Sequence, residues 1–297
     1  MDDIRYITAF EKEYPEKLRE IKNAPAGIYV RGKLPDKNKK SVAIVGSRQC
    51  SMYGAKTAEY FSSTLAANGV QIISGMACGI DGISQKAAIG AGGTTFAVLG
   101  SGADVVYPKS NTELYEDILK EGGIISEQPP GTEPLGPYFA ERNRIISALC
   151  DCLLVIEARV RSGTGITVRH ALEQGKDIFA VPGRINDPMS AGTNKLIADG
   201  ALVALSPDCI LQELFKTGPD AVMIKKGKND KNTAVRIPLS GNEKIIYSLM
   251  DMYPKKTDEL MAQSGLSLVC VHDAVLELRL KGLVLECGKN HYIRSNL

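Results

Sequence analysis

The sequence has few histidines, and its cysteines lack the spacing that structural zinc sites use. It contains three histidines, seven cysteines and no tryptophan among 297 residues. His170, His272 and His291 lie far apart, and the cysteines form no C-x-x-C pair, since only Cys150 and Cys152 are close together. Structural zinc sites need clustered thiolate and imidazole ligands. We therefore expect no metal, and we interpret the cysteines as reduced thiols that pack as small hydrophobic side chains.

Long apolar segments and a strong net charge are also absent. No stretch approaches the roughly 18 consecutive apolar residues that a membrane span needs. Residues 1–5 show no basic region followed by an apolar one, so we expect a cytoplasmic protein without a membrane segment. The formal net charge is only +2. Any affinity for nucleic acid must therefore come from arginine and lysine clustered locally.

The chain lacks the motifs of common nucleotide-binding and hydrolytic enzymes. It has no G-x-x-x-x-G-K-[ST] loop, no G-x-S-x-G elbow, no H-E-x-x-H and no G-x-G-x-x-G after its first predicted strand. The spacing of its polar residues does not assemble a nucleophile, a base and an orienting group. We therefore expect a binding protein without a cofactor rather than an enzyme.

Short apolar runs alternate with helical periods between residues 41 and 215. The apolar runs are Ser41–Val45, 70–74, 94–99, Gly123–Ser126, 152–157 and 177–181. Such alternation is typical of a mainly parallel sheet with helices on both faces. It predicts an α/β fold, with an extended Rossmann-like domain over 41–215. Residues 1–40, which include the strand-like segment Gly27–Gly32, are predicted to be a lead-in packed on this core.

A second, smaller domain is predicted after residue 238. Residues 216–238 are rich in lysine and have little apolar periodicity, which indicates a flexible basic linker. Three helical patterns follow at 243–252, Thr257–Ser264 and 267–281, and then two β-like runs separated by a short turn. Three short helices and a hairpin predict a winged-helix domain over 239–297.

Clusters of glycine, hydroxyl and cationic residues follow several predicted strands. Ligands of open parallel sheets bind beyond the carboxyl ends of the strands, and the N–H groups at helix starts attract phosphate. The candidate phosphate contacts are Gly46, Ser47, Arg48 and Ser51 in the first loop, Gly75, Gly79 and Asp81 in the second, Ser162, Gly163 and Thr164 in a later one, and Asn194 beyond these. Several such loops on one sheet edge favour a ligand with many phosphates. An alternative for the second loop is a tight turn with Asp81 as a helix cap.

A segment of different composition, residues 137–144, is predicted to form another of these loops. It contains Phe139, Arg142, Asn143 and Arg144, and a Pro- and Gly-rich stretch precedes it. Aromatic side chains beside arginine and asparagine combine stacking surface with phosphate contacts, as grooves for single-stranded nucleic acids do. The alternative is that the two arginines lie on a solvated or ion-paired face at a helix start.

Taken together, these loops resemble the DNA-processing protein family called DprA or Smf. The matching motifs are Gly46-Ser47-Arg48, residues 74–81, Val98-Leu99-Gly100 with Tyr107-Pro108, residues 139–144 and Val181-Pro182-Gly183. The resemblance covers residues 14 to 215, and the predicted winged helix matches a domain that many members carry. It implies a homodimer that binds single-stranded DNA, protects it from nucleases and loads RecA onto it during natural transformation or recombination.

The resemblance also implies roles for individual residues. Arg48 would be the principal phosphate contact, Gly46 and Ser47 would shape its pocket, and Phe139, Arg142 and Asn143 would line it. Lys176 stands where the family pattern often has an arginine after a glycine, so that a contact there would be monodentate. The chain departs from the pattern at Gln85, where a histidine is usual, and at Ala140, where a proline is common.

Two other functions remain open at this point. Glycine-rich loops also suit a nucleotide-processing enzyme of the phosphoribohydrolase group. In those enzymes the loop has a doubled glycine and a glutamate follows within one turn, and residues 163–167 lack both features. A transcription regulator would use the winged helix to read duplex DNA. However, residues 240–297 carry seven basic and seven acidic side chains, and residues 267–273, at the start of the third predicted helix, include no arginine or lysine.

Overall fold

The computed structural model describes residues 4–216, 239–251, 253–288 and 290–295. The chain divides into two compact units, Met1–Asp230 and Lys231–Leu297. The basic linker predicted for 216–238 lies, after its first residue, outside the described residues.

One nine-stranded sheet organises the described part of the first unit, residues 4–216. Its strands are β1 (Arg5–Thr8), β2 (Gly27–Gly32), β3 (Ser41–Val45), β4 (Gln71–Ser74), β5 (Thr95–Leu99), β6 (Gly123–Ser126), β7 (Cys152–Val155), β8 (Asp177–Ala180) and β9 (Leu202–Val203). Their order across the sheet is β1-β2-β6-β5-β4-β3-β7-β8-β9. The pairs β1–β2 and β2–β6 are antiparallel and the others are parallel. The predicted α/β fold with a mainly parallel sheet is confirmed.

Helices cover both faces of this sheet. They are α1 (Glu16–Arg19), α2 (Met52–Ala67), α3 (Ile80–Gly90), α4 (Thr112–Glu121), α5 (Gly136–Leu149), α6 (Thr164–Glu173), α7 (Ala191–Ala198) and α8 (Pro207–Phe215). Successive side chains of a strand point to opposite faces. Ala43 and Val45 of β3 therefore pack with α5 and α6, whereas Val42 and Ile44 pack with α2, α3 and α8. All five residues of β3 are buried, which explains why its sequence is continuously apolar after Ser41.

The N-terminal residues form part of the sheet itself. β2 pairs with β6 and β1 pairs with β2, so this segment extends the sheet by two strands. Tyr14 and Leu18, which lie between the two strands in sequence, are almost fully buried. The strand-like pattern predicted β2, whereas β1 was not predicted.

The loop predicted for residues 137–144 is helical. α5 begins at Gly136, and Pro137 lies in its first turn, where the missing N–H of proline has no intrahelical partner to lose. Arg142 and Arg144 are therefore two residues apart on a helix that turns about 100° per residue, and they point to different sides. The prediction of a loop was wrong because the Pro- and Gly-rich stretch gives way to helix at Gly136, so that residues 137–144 all lie within α5.

The second unit contains three helices and a small antiparallel sheet within its described residues. The helices are α9 (Gly241–Leu249), α10 (Thr257–Ser264) and α11 (Leu268–Leu280), and the strands are β10 (Lys255–Lys256), β11 (Val284–Gly288) and β12 (His291–Arg294). The strand order is β10-β12-β11. Val271, Ala274, Val275 and Leu278 form the buried face of α11. The three helices and the hairpin that the sequence predicted are present.

Neither a membrane helix nor a metal cluster occurs in the part of the chain that the structure describes. No helix there is both long and apolar enough to cross a bilayer. No group of three or more histidine, cysteine or carboxylate side chains is placed to hold a metal ion among those residues. Cys150 and Cys152 are free and buried, and burial raises the pKa of both thiols, that of Cys150 to about 11. Both thiols are therefore protonated and unreactive near neutral pH.

Candidate nucleic-acid interface

A cleft of about 470 Å³ lies at the carboxyl ends of β3 and β7. β3 is flanked by β4 on one side and by β7 on the other, so the loops that follow β3 and β7 lead to opposite sides and leave a crevice between them. Most of the predicted contacts line this β3–β7 cleft, namely Gly46, Ser47, Arg48, Asp81, Phe139, Arg142, Asn143, Ser162, Gly163 and Thr164. Arg159, which is exposed and was not among the predicted contacts, lines it as well.

The loop after β3 is held in place by the loops beside it. The backbone N–H of Ser47 donates to the carbonyl oxygen of Glu157 at 2.9 Å, and that of Ile80 donates to the carbonyl oxygen of Ser47 at 3.1 Å. Gly79 has a φ of 75°, and a Cβ at this position would lie 2.3 Å from the Ser47 carbonyl oxygen. Only glycine permits that close approach. Gly79 therefore supports the loop from behind and does not line the cleft.

An aromatic platform, formed by Tyr107 and Phe139, lies beside an exposed guanidinium. The Cζ atom of Arg48 is 5.4 Å from the centroid of the Phe139 ring. The rings of Tyr107 and Phe139 are 5.4 Å apart and inclined by 30°. Phe139 is half-buried and Tyr107 is 42% exposed. Neighbouring ring faces with a cation above one of them can stack bases and bind phosphate at the same place. The sequence showed the Tyr107-Pro108 motif but not its position beside Phe139.

Arg142 supports this platform from within the protein. Its side chain is only 6% exposed, and its Nη1 atom donates to the carbonyl oxygens of Gly75, at 3.0 Å, and of Val98. A Cβ on Gly75 would lie 2.7 Å from the guanidinium nitrogens, so glycine makes room for them. Burial lowers the pKa of Arg142 to about 10, which leaves it charged at neutral pH. Its Cζ lies 5.9 Å from the Phe139 ring centroid, on which it packs.

Asp81 provides a buried carboxyl group near Arg142. Its Oδ2 atom accepts a hydrogen bond from the backbone N–H of Gly75 at 3.2 Å. Burial raises the pKa of Asp81, and the charges of Arg142 and Arg48 oppose that shift. Gly79 is the N-cap of α3, so Asp81 lies in the first turn of that helix and is not its cap residue. The carboxyl group thus fixes the loop after β4 beside the buried guanidinium of Arg142.

Arg144, Lys176 and Asn194 lie away from the β3–β7 cleft. The Nη2 atom of Arg144 donates to both carboxylate oxygens of Glu127 at 2.7 Å, as the ion-paired alternative for this segment anticipates. Lys176 lines a separate cleft, together with Arg144. Asn194 accepts from the N–H of Gly183 and donates to its carbonyl oxygen, both at 3.0 Å. These contacts give Arg144 and Asn194 structural roles.

The hydroxyl of Ser51 is already bonded within the protein. Ser51 is the N-cap of α2 and accepts from the N–H of Gly54 at 3.0 Å. It also donates its hydroxyl to Oε1 of Glu157 at 2.5 Å and its backbone N–H to Oε2 at 2.9 Å. Glu157 is only 1% exposed. The helix start that the sequence predicted as a phosphate contact therefore holds a carboxylate of the chain itself.

Comparisons with known proteins agree with this fold. Residues 5–215 match the family model for DNA recombination-mediator protein A. The chain is 44% identical over 200 residues to the DNA processing protein DprA of Streptococcus pneumoniae, covering 67% of this chain and 71% of that protein. It is 42% identical over 209 residues to protein Smf of Escherichia coli, covering 70% of this chain. The match spans only 56% of the length of that E. coli relative.

Solved structures of two relatives share the architecture. The X-ray structure of DNA processing protein A from Streptococcus pneumoniae gives a TM-score of 0.69 at 42% identity, over 71% of this chain and 75% of that one. The protein from Helicobacter pylori, whose structure concerns a unique single-stranded DNA binding mode, gives 0.64 at 29% identity, over 72% of this chain and 98% of that one. The resemblance drawn from the loop motifs is confirmed. This chain belongs to the DNA recombination-mediator protein A family, which the DprA and Smf proteins represent.

Proposed function

We propose that the β3–β7 cleft binds single-stranded DNA, and that the protein protects this strand and loads a RecA-type recombinase onto it in natural transformation or recombination. The observation that carries the proposal is the placement of Arg48 against the aromatic platform. Every base has a face that can stack on a ring, and every nucleotide has a phosphate that a guanidinium can bind. Such a site recognises a strand without reading its sequence. The single-stranded DNA binding mode of the Helicobacter pylori relative supports the same assignment.

The composition of the cleft favours binding over hydrolysis. Among the described residues that line it, Asp81 is the one carboxylate, and no histidine or cysteine accompanies it. Asp81 is buried and accepts from the backbone of Gly75, so it is not directed at a ligand as a base would be. We therefore propose a binding protein rather than a phosphoribohydrolase-like enzyme.

Binding to a fluorescent oligo-dT, followed by anisotropy across a salt series, tests the function. We expect the protein to prefer the oligo-dT over matched duplex and to bind with a steep salt dependence. The Arg48→Ala variant should bind every sequence more weakly. It should also lower the slope of log K against log salt by about 0.7, the value for one phosphate of a single strand.

The matched control for this variant is Arg5→Ala. Arg5 lies on β1 at the edge of the sheet and pairs with Glu13 at 2.6 Å, so its loss removes the same charge outside the cleft. Affinity and salt slope should stay as in the wild type. Unchanged binding by Arg48→Ala would remove that residue from the interface. A protein that ignores oligo-dT but hydrolyses a nucleoside monophosphate would instead be a nucleotide enzyme.

We propose that the second unit is a winged helix that serves protein contact or regulation, rather than one that reads duplex DNA. Val269, Leu276 and Leu280 leave more than half of their surface exposed on α11. Arg279 of the same helix is paired with Glu286 at 2.9 Å. A helix that enters the major groove normally presents unpaired arginine and lysine, whereas an exposed apolar face suits another protein.

Truncation after residue 238 checks this assignment. The cleft residues all belong to the first unit, so the dissociation constant for oligo-dT should change by no more than about twofold, as for independent sites. The anisotropy assay above measures it, with the intact chain as reference. A loss as large as that of Arg48→Ala would place strand contacts in the second unit.

The proposal includes a homodimer. β9 is the last strand in the order of the large sheet, and Leu202, Val203 and the nearby Leu205 are exposed. An exposed apolar sheet edge is a surface on which a second copy can pack. Sedimentation equilibrium of the purified chain would show a dimer, and a monomer would remove this part of the proposal. RecA filament formation on strands already coated with the protein is the corresponding measurement for loading.

A further inference from the structure

The start of α2 is the place where a dinucleotide-binding sheet would hold a ligand phosphate. In such folds the first strand leads through a glycine-containing loop into a helix whose free N–H groups face the phosphate. Here β3, the loop 46–51 and α2 follow in that order. Ser51, the N-cap residue of this helix, donates both its hydroxyl and its N–H to the carboxylate of Glu157.

The chain is shaped to admit this carboxylate. Gly54, in the first turn of α2, is buried, and a Cβ there would lie 2.2 Å from Oε2 of Glu157. Any larger residue would therefore displace the carboxylate from the helix start. The carbonyl oxygen of Glu157 also accepts from Ser47, so one residue is bonded to both ends of the loop that carries Arg48. The positive end of the helix dipole stabilises the buried negative charge.

We infer that Glu157 is a specificity-determining residue that takes the place of a ligand phosphate at the start of α2. The inference rests on the proposed function and refines it. A free nucleotide offers one terminal phosphate, and the helix start that would bind it is filled. A DNA strand offers many phosphates, which exposed cations such as Arg48 and Arg159 can meet while bases stack on the aromatic platform. Glu157 therefore lets the cleft reject nucleotides and accept strands.

The Glu157→Ala variant tests whether the helix start becomes an anion site. Removal of the carboxylate exposes the N–H of Ser51, and inorganic phosphate or formate should bind in its place. At constant ionic strength, phosphate at about five times its dissociation constant should raise the melting temperature of the variant by about 2–4 °C, because it binds only the folded state. The wild type should show no such response.

Competition by dTMP against oligo-dT tests the specificity. The half-inhibitory concentration of dTMP should fall at least about tenfold in Glu157→Ala relative to the wild type, because a charge-assisted contact to its phosphate becomes available. Glu157→Gln keeps the shape of the side chain and removes its charge. Because its amide still fills the helix start, it should gain less sensitivity to dTMP than the alanine variant, and Glu157→Ser serves as the test variant if the alanine protein does not fold.

Two controls separate this role from simple loosening of the loop. Glu59→Ala removes an equal charge from the exposed side of α2, where Glu59 pairs with Lys56 at 2.7 Å, and should gain neither response. Gly54→Ala displaces the Glu157 carboxylate but keeps its charge, so it loosens the loop that carries Arg48 without creating an anion site. This variant should lose oligo-dT affinity and gain no stabilisation by phosphate.

The outcomes for the inference and for the proposed function are distinct. If the Glu157 variants show neither stabilisation by phosphate nor inhibition by dTMP, the inference is overturned. If dTMP already competes in the wild type, it is overturned as well. If the wild type does not bind oligo-dT, the proposed function fails, whereas the thermal response to phosphate still decides whether Glu157 fills an anion site.

Discussion

Replacement of Arg142 with alanine is expected to destabilise the first unit by about 3–5 kcal/mol, the cost of removing one partner from a buried charged network. The change removes the hydrogen bonds that Arg142 donates to the carbonyl oxygens of Gly75 and Val98, and it leaves the buried Asp81 without the main positive charge that favours its ionised form. Denaturant unfolding at neutral pH measures the loss. The matched control is Arg144→Ala, on the same helix as Arg142. This change breaks a more exposed ion pair, with Glu127, and should cost less.

The same variant should show a pH dependence of defined sign. Without Arg142, burial raises the pKa of Asp81 further above its unfolded value. A group with a raised folded-state pKa favours the folded state below its unfolded pKa, and that contribution is lost as the pH rises through the folded pKa. The deficit of Arg142→Ala relative to the wild type should therefore grow from acidic to neutral pH. Combining it with Asp81→Asn should abolish this growth. A deficit that is constant with pH would show that Asp81 does not depend on Arg142.

Phe139→Ala is expected to weaken oligo-dT binding by about 1–3 kcal/mol, the contribution of one stacked base. This corresponds to a rise of about 5- to 150-fold in the dissociation constant, measured by anisotropy at fixed salt. The salt slope should change little, because the ring carries no charge, and this separates the variant from Arg48→Ala. Loss of the ring also removes the surface on which Arg48 and Arg142 pack, so the melting temperature should be measured in parallel.

Two variants make the result specific to stacking in the cleft. Phe139→Tyr keeps the ring and should bind almost as well as the wild type. Phe10→Ala removes a phenylalanine that is 98% exposed and lies near β1, so it should leave binding unchanged. If Phe139→Ala binds normally while Arg48→Ala does not, the cleft holds the strand by its phosphates alone.

Most of the central sheet could be predicted from the sequence because its strands are buried on both faces. Ser41–Val45 and Gly123–Ser126 were predicted with their observed bounds, since continuous apolar runs between helical periods have few other interpretations. β1 and β9 were missed because they lie at the edges of the large sheet. β9 has two exposed residues, and in β1 only Ile7 is buried, so neither shows a clear period.

The candidate cleft could be predicted only in part, since glycine and hydroxyl patterns identify loops but not the residues that these loops contact in the folded protein. Pro137 could have indicated the start of α5, and with it the divergence of Arg142 from Arg144. No local pattern indicates that Glu157 bonds to Ser51, because the two residues are 106 positions apart. Arg159 and Tyr107 likewise reach the cleft region only through the strand order.

The antiparallel pairing of β2 with β6 has a consequence for the order in which the protein forms during synthesis. β1 and β2 are synthesised before β6, so β2 cannot pair with Gly123–Ser126 until that strand is made. At bacterial rates of translation the delay is on the order of ten seconds. β3 to β6, by contrast, pair with strands that emerge one after another. The β1–β2 pair should therefore be the last to pack on this side of the large sheet, and until then a chaperone can bind its apolar face.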